Sequence, residues 1–419
     1  EVFSGEIVSW GDYYKYHYVK FDFSAVTVPG IYYIQYGNFK TNNFLIENSV
    51  YDKITDATSD IWIPIHMNHM FVNEAYRVWH GEPFKEGYLQ APPNTDHFDM
   101  HRQGPTTDTK YKGLELIPGL NIGGFFDAGD FDIETGANIG VVQNFVQTWE
   151  SFKPLRDQTF IYQQQRYVDL HRPDGKPDIL QFIEHGTMNL VAQAEIIGHM
   201  SQTLSNSVLD NYHHLGDAAS ITDGLPYNPE LGPYEKAADG RSSGVKDDMW
   251  AFTSRNAGLD LRAATTFAAA SRALRGYNDD LSARALTQSK RLLKEATEIL
   301  ANQPQDNRGW SGTANIGTNL QLYIATGEQQ YIDKFHELLW PALERNVSFT
   351  LSTALDAIPH TDAAYREKLR PYVLKYKEYI EGLEKDNPYG VPIGLGNCAG
   401  SGAVVNYGTT ICFASKYYP

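Results

Sequence analysis

Gly123-Gly124-Phe125-Phe126-Asp127-Ala128-Gly129-Asp130 sets two carboxylates three positions apart in a glycine-rich turn. Carboxylates accept protons, and a pair held in one turn suits a general base that draws a proton from water. Behind the turn, Val142, Phe145, Val146 and Trp149 recur at i, i+3, i+4 and i+7, the spacing of one helix face. A loop at the start of that helix would face its backbone N–H groups, which favour an ionised, exposed carboxylate pair. The same spacing also describes an Asx turn and a helix cap with no chemistry attached.

The elements that position this turn fall into two textures. Residues 1–50 carry short β runs around Val19–Phe23, Ile31–Tyr36 and Asn43–Ile46, broken by Val28-Pro29-Gly30 and Gly37-Asn38. From Tyr51 onward the periodicity is helical. A first helix is expected over Ile54, Ala57, Ile61 and Ile65, with Pro64 as a kink, and another begins at Lys176-Pro177-Asp178. Asn256–Leu274 is alanine-rich, and further helical patterns cover 282–302, 315–326, 330–346, 364–385 and 402–417. Roughly nine helices follow, and strands are expected mainly within 1–50.

Composition narrows the partners. The 419 residues carry a formal charge of −16, with 42% hydrophobic and 13% aromatic residues. Such a balance disfavours nucleic acid and anionic membrane surfaces, and fits a neutral polysaccharide. No apolar run reaches the roughly 18 residues of a membrane span. Cys398 and Cys412 could pair, but one pair defines no redox compartment. His97 and His101, flanked by Asp96 and Asp99, are four apart and could reach one metal ion, yet zinc needs three or four convergent ligands. They are read as a polar loop and no metal ligand is assigned.

The Gly-Gly-aromatic-aromatic-Asp-Ala-Gly-Asp block closely resembles the signature of glycoside hydrolase family 9, the inverting cellulase-type enzymes. Lys176–Leu180, Trp250–Asn256 and Tyr389–Gly394 resemble further motifs of that family, so the likeness spans essentially the whole chain. The resemblance implies a mainly α fold, an (α/α)6 barrel over 51–419, behind a partial immunoglobulin-like β domain over 1–50. It implies that Asp130 is the catalytic base and that Asp127 helps hold the water. Trp250, Phe252 and Trp310 become candidate sugar-stacking residues, and His213 and His214 candidate hydrogen-bond donors to sugar hydroxyls. Asp178 is expected to start a helix rather than catalyse, and Ser254 or Asn256 to cap one.

The implied substrate is a β-1,4-glucan, such as cellulose, xyloglucan or mixed-linkage glucan, cut by an endoglucanase that is secreted or held in the cell envelope. An exo-β-glucosaminidase of the same family and a non-catalytic glycan-binding protein are the alternatives. No cofactor is implied, although structural calcium is common in the family, with ligands that the sequence leaves open. The resemblance puts the catalytic acid in a Glu past residue 419, about three of twelve barrel helices beyond the same point, and the first β strands before Glu1. On that expectation the 419 residues alone lack hydrolytic activity.

Overall fold

The computed structural model describes residues 1–97, 101–207, 216–302, 311–393 and 401–419. Helix makes up 45% of the described residues, so the fold is mainly α as expected. The long helices are α1 (Thr135–Phe152), α2 (Asp178–Ile196), α3 (Ala257–Ala273), α4 (Asp279–Ala301), α5 (Ser311–Thr326), α6 (Gln329–Arg345), α7 (Val347–Asp356), α8 (Ala363–Lys385) and α9 (Ser401–Tyr417). The chain divides into two compact units, Ala57–Leu338 and a second made of Glu1–Asp56 with Leu339–Pro419.

The larger unit is built on α2 and α3. Helix α3 carries apolar or small residues nearly all round, α2 combines an apolar face with a buried polar row of Gln181, His185, Asn189 and Gln193, and both are buried along most of their length. Ile139 and Val142 from α1, Ile183 and Leu190 from α2, Ala263, Phe267 and Ala270 from α3, and Leu281 and Leu292 from α4 share one core. The alanines of α3 let its neighbours approach closely, which is why this stretch has so few large side chains. Asn256 caps α3: its side chain accepts from the backbone N–H of Gly258 (2.9 Å) and Leu259 (3.2 Å). Ser254, the other capping candidate, instead accepts from Gly104 N–H at 2.7 Å.

Strands are not confined to the N-terminus. A five-stranded sheet runs in the order Leu116–Ile117, Tyr88–Gln90, Trp250–Phe252, Thr203–Ser205, Ile133–Glu134. A four-stranded sheet combines Thr159–Tyr162, Tyr167–Leu170, Phe71–Glu74 and Arg77–His80. These strands are two to four residues long and several are buried throughout, so they leave no alternation to detect. The helix expected over 54–65 shrinks to a π-helical turn, Thr58–Trp62, and one α turn, Ile63–Ile65.

In the second unit, Val8–Tyr13 pairs with Tyr16–Lys20, Gly30–Tyr32 with Phe44–Ile46, and Gln35–Tyr36 with Phe39–Lys40. The β structure thus lies where the sequence indicates it, as three two-stranded pairs. Cys412 is exposed on α9, and its pairing with Cys398 falls outside the described residues. Among the described residues no helix is long and apolar enough to cross a membrane.

Candidate active site

The aspartate loop is clamped from three directions, all within the larger unit. Residues 66–69 lie along it: Asn68 N–H donates to the Gly124 carbonyl (2.9 Å) and Phe126 N–H to the His66 carbonyl (2.8 Å). From α1, Asn138 bonds Phe125 twice, accepting its N–H (2.8 Å) and donating to its carbonyl (2.9 Å). From α2, the His185 carbonyl accepts the Gly124 N–H at 3.1 Å. Full burial holds the His69 imidazole down at about 3, so the ring is neutral. It can therefore donate from Nδ1 to the Gly123 carbonyl and accept the Tyr88 hydroxyl at Nε2, both at 2.7 Å.

Gly123 has φ +61°, and a Cβ there would stand 2.2 Å from the His185 carbonyl oxygen. No side chain fits, so this glycine is required by the contact between loop and helix.

The two aspartates occupy different depths. Asp127 is exposed, whereas Asp130 is 7% exposed. The turn between them closes through Asp127 N–H to the Asp132 carbonyl (3.0 Å) and Phe131 N–H to the Ala128 carbonyl (3.3 Å). Asn206 Nδ2 donates to the Asp130 carbonyl at 3.4 Å. The sequence expectation of an equally exposed pair at a helix start is corrected on both points. The strand Ile133–Glu134 intervenes, and Glu134 caps α1 by accepting the Gly136 N–H at 3.1 Å. Asp127 is thus the exposed member of the pair and Asp130 the buried one.

The five-stranded sheet extends the site sideways. Leu204 pairs with Ile133 on one side and with Ala251 on the other, so these two strands run in register across it. That register puts Trp250 level with Asp132, two inter-strand spacings or about 10 Å away. Ile133, Leu204 and Ala251 join the apolar core. Alternation along the strands then gives Glu134, Thr203, Ser205, Trp250 and Phe252 the opposite face. On that face the Ser205 hydroxyl bonds His97 Nε2 (3.2 Å), and His101 lies 3.5 Å from a Glu134 carboxylate oxygen.

Trp250 is half-buried, but Phe252 is 0% exposed, with its ring edge-on to His97 at 5.2 Å. Phe252 is interior packing, and its ring is not available for stacking. His97 and His101 are taken up by the sheet face, while Asp96 pairs with Arg102. Asp99, His213, His214 and Trp310 lie outside the described residues.

Asp178 is buried at the start of α2 and accepts the N–H groups of Gln158 (2.9 Å) and Thr159 (3.1 Å), tying the four-stranded sheet to the helix. Burial pushes its carboxyl up to about 7 despite those bonds. His69 and Asn138 were not singled out from sequence. Neither belongs to a recognisable motif, and the partners of each, Gly123 and Tyr88 for His69 and Phe125 for Asn138, are reached only in the fold.

No family model matches the sequence, and no curated protein matches it. Solved structures do. A metagenome-derived glycoside hydrolase family 9 endoglucanase superposes with a TM-score of 0.63 at 17% identity, over 95% of this chain and 67% of that one. The family 9 endoglucanase J30 gives 0.66 at 15% identity, over 96% and 70%. AaCel9A in complex with cellobiose-like isofagomine gives 0.62 at 15% identity, over 96% and 69%. At these identities the likeness is one of fold.

Proposed function

From the premise that its fold is that of the family 9 glycoside hydrolases, we propose that the protein hydrolyses β-1,4-glucosidic bonds of plant glucans with inversion, acting as an endoglucanase. The carrying observation is the clamped Gly123–Asp130 loop, with Asp130 buried and Asp127 exposed. Asp130 takes a proton from water as that water attacks the anomeric carbon, and Asp127 orients the water. The leaving oxygen is protonated by a carboxylic acid on the opposite face of the bond, about 6.5–9.5 Å from the base. Trp250, on the sheet face beside the loop, stacks on a glucose ring. A glycan partner is supported by the cellobiose-like inhibitor bound to AaCel9A. Polymeric glucan is met outside the cell, so this reading places the protein in the envelope or beyond.

The test is reducing-sugar release by the full-length protein from cellulose, xyloglucan, mixed-linkage glucan and glucomannan. Release from at least one is expected. Trp250→Ala should raise KM on that glucan about tenfold, the loss of about 1.4 kcal/mol of stacking, with kcat little changed. Release from glucosamine oligosaccharides alone would replace the substrate. Glucan binding without any release would leave a lectin-like protein instead.

A further inference from the structure

A cavity of about 360 Å³ lies within the larger unit, inside the range of about 300–1,000 Å³ that small-molecule sites occupy. Its walls come from His69 and Met70, from Ile122 and Gly123 at the start of the aspartate loop, from the turn at 163–166, from α2 and from the first turns of α4. Neither Asp127 nor Asp130 lines it, and neither does any strand of the five-stranded sheet. Trp250–Phe252 leads into the start of α3, whereas the α4 wall follows the end of α3. The 17 residues of α3 put about 25 Å between those two ends. The cavity is therefore separate from the sheet face that carries Trp250.

The charges in its walls are already paired within the protein. Arg166 Nη1 donates to Glu82 at 2.8 Å, and Arg284 donates to Glu195 at 2.7 Å and to Asp280 at 3.4 Å. Glu184 accepts from Asn278 Nδ2 at 2.7 Å. A charged ligand would lose its water there without gaining an uncompensated partner, so the lining selects neutral molecules. Met70, Ile122, Met188 and Leu281 supply an apolar portion.

Gln163 supplies an open hydrogen-bonding position. Its Oε1 accepts from His185 Nδ1 at 3.0 Å, while its Nε2 is buried and has no hydrogen-bond partner among the described residues. A buried amide N–H without an acceptor is costly, and an oxygen of a bound molecule would remove that cost. Gln164 adds a second amide at the rim.

The fitting ligand is neutral, has an apolar face, and carries oxygens that both accept and donate. A sugar ring meets all three conditions, with its C–H face and its hydroxyls. We propose that this cavity binds a neutral mono- or disaccharide, as a second glycan site behind the aspartate loop. Gly123 is part of the wall and its carbonyl accepts from His69 at 2.7 Å, so occupancy braces the loop. Binding here does not require that the protein hydrolyse glucan. If it does, its own short products are the supply.

The experiment uses full-length protein carrying Asp130→Asn and Trp250→Ala, which suppresses turnover and binding at the sheet face. Glucose and cellobiose are titrated by calorimetry, and thermal unfolding is followed with each. Saturable binding of at least one is expected, with a rise in Tm. Glucuronate and glucosamine, which bring a charge, should bind about tenfold more weakly or worse. Gln163→Glu in the same background keeps the acceptor for His185 and removes the amide donor, so affinity should fall about tenfold or more. Met188→Phe should weaken binding by filling the apolar portion. The sugar-free Tm of each variant shows that it folds, and where Met188→Phe does not, Gln163→Glu carries the test. No saturable binding of either sugar would mean that the cavity holds only water. Binding unchanged in a folded Gln163→Glu protein would place the sugar elsewhere, and tighter binding of glucuronate than of glucose would mean an anion site. Each of these overturns the proposal. Reducing-sugar release by the wild type reads the proposed hydrolysis separately, so the two readings fail independently.

Discussion

Asp130→Asn is expected to lower kcat on a β-glucan by about 10²–10⁴-fold, with KM near the wild-type value. Asparagine keeps the size and planar shape of the side chain, and the loop is held by its own backbone groups and by Asn138. Geometry should therefore survive while the ability to take a proton from water is lost. On the proposed reading, substrate binding uses the sheet face and Trp250, which the substitution leaves alone. Asp127→Asn should also impair turnover, by less, because it removes orientation of the water and not the base itself. Steady-state kinetics on the most readily hydrolysed glucan, with unfolding curves for each variant, checks both. Near-normal turnover by a well-folded Asp130→Asn protein would remove Asp130 from the role of base.

The second large effect concerns the backbone beneath the carboxylates. Gly123→Ala is expected to destabilise the protein by about 2–6 kcal/mol. A left-handed φ costs a non-glycine residue about 1–3 kcal/mol, and overpacking adds about 1–3 more. The clash is with the His185 carbonyl on α2, at 2.2 Å from the new Cβ, and neither α2 nor the loop can yield without breaking the Gly124–His185 bond. Gly140→Ala in the interior of α1 is the control. Its Cβ would meet nothing within 4 Å, so a gain of about 0.5–1 kcal/mol is expected from helix propensity. Denaturant unfolding of the two variants measures the contrast. Equal stabilities would mean that the loop is not pressed against α2 as described.

How far the sequence reveals this molecule depends on whether the relevant contact is local. Helices α3 to α6, α8 and α9 are legible because one face repeats every three or four residues over sixteen or more positions. Helix α7 is not, because Val347, Phe349 and Leu351 alternate as a strand would, and only packing selects Val347, Leu351 and Leu355 as the inward side. The two small sheets are hidden for a related reason: a strand of two to four buried residues has no period. The aspartate loop is visible through its glycines, but the unequal depth of Asp127 and Asp130 follows from the strand Ile133–Glu134, which carries no signal of its own. Phe252 and Trp250 are indistinguishable as residue types, and the fold separates them by packing His97 over one and not the other.

The central claim is that water activated by Asp130 attacks the anomeric carbon directly, in one inverting displacement. Proton NMR of a fresh digest of a soluble β-glucan by the full-length protein tests it most directly, read before mutarotation scrambles the new reducing ends. The account predicts that the first product signal is the α-anomer, with the β-anomer growing in afterwards. A β-anomer appearing first would mean two displacements through a covalent intermediate, with a carboxylate acting as nucleophile, and would contradict the assignment of Asp130 as a base.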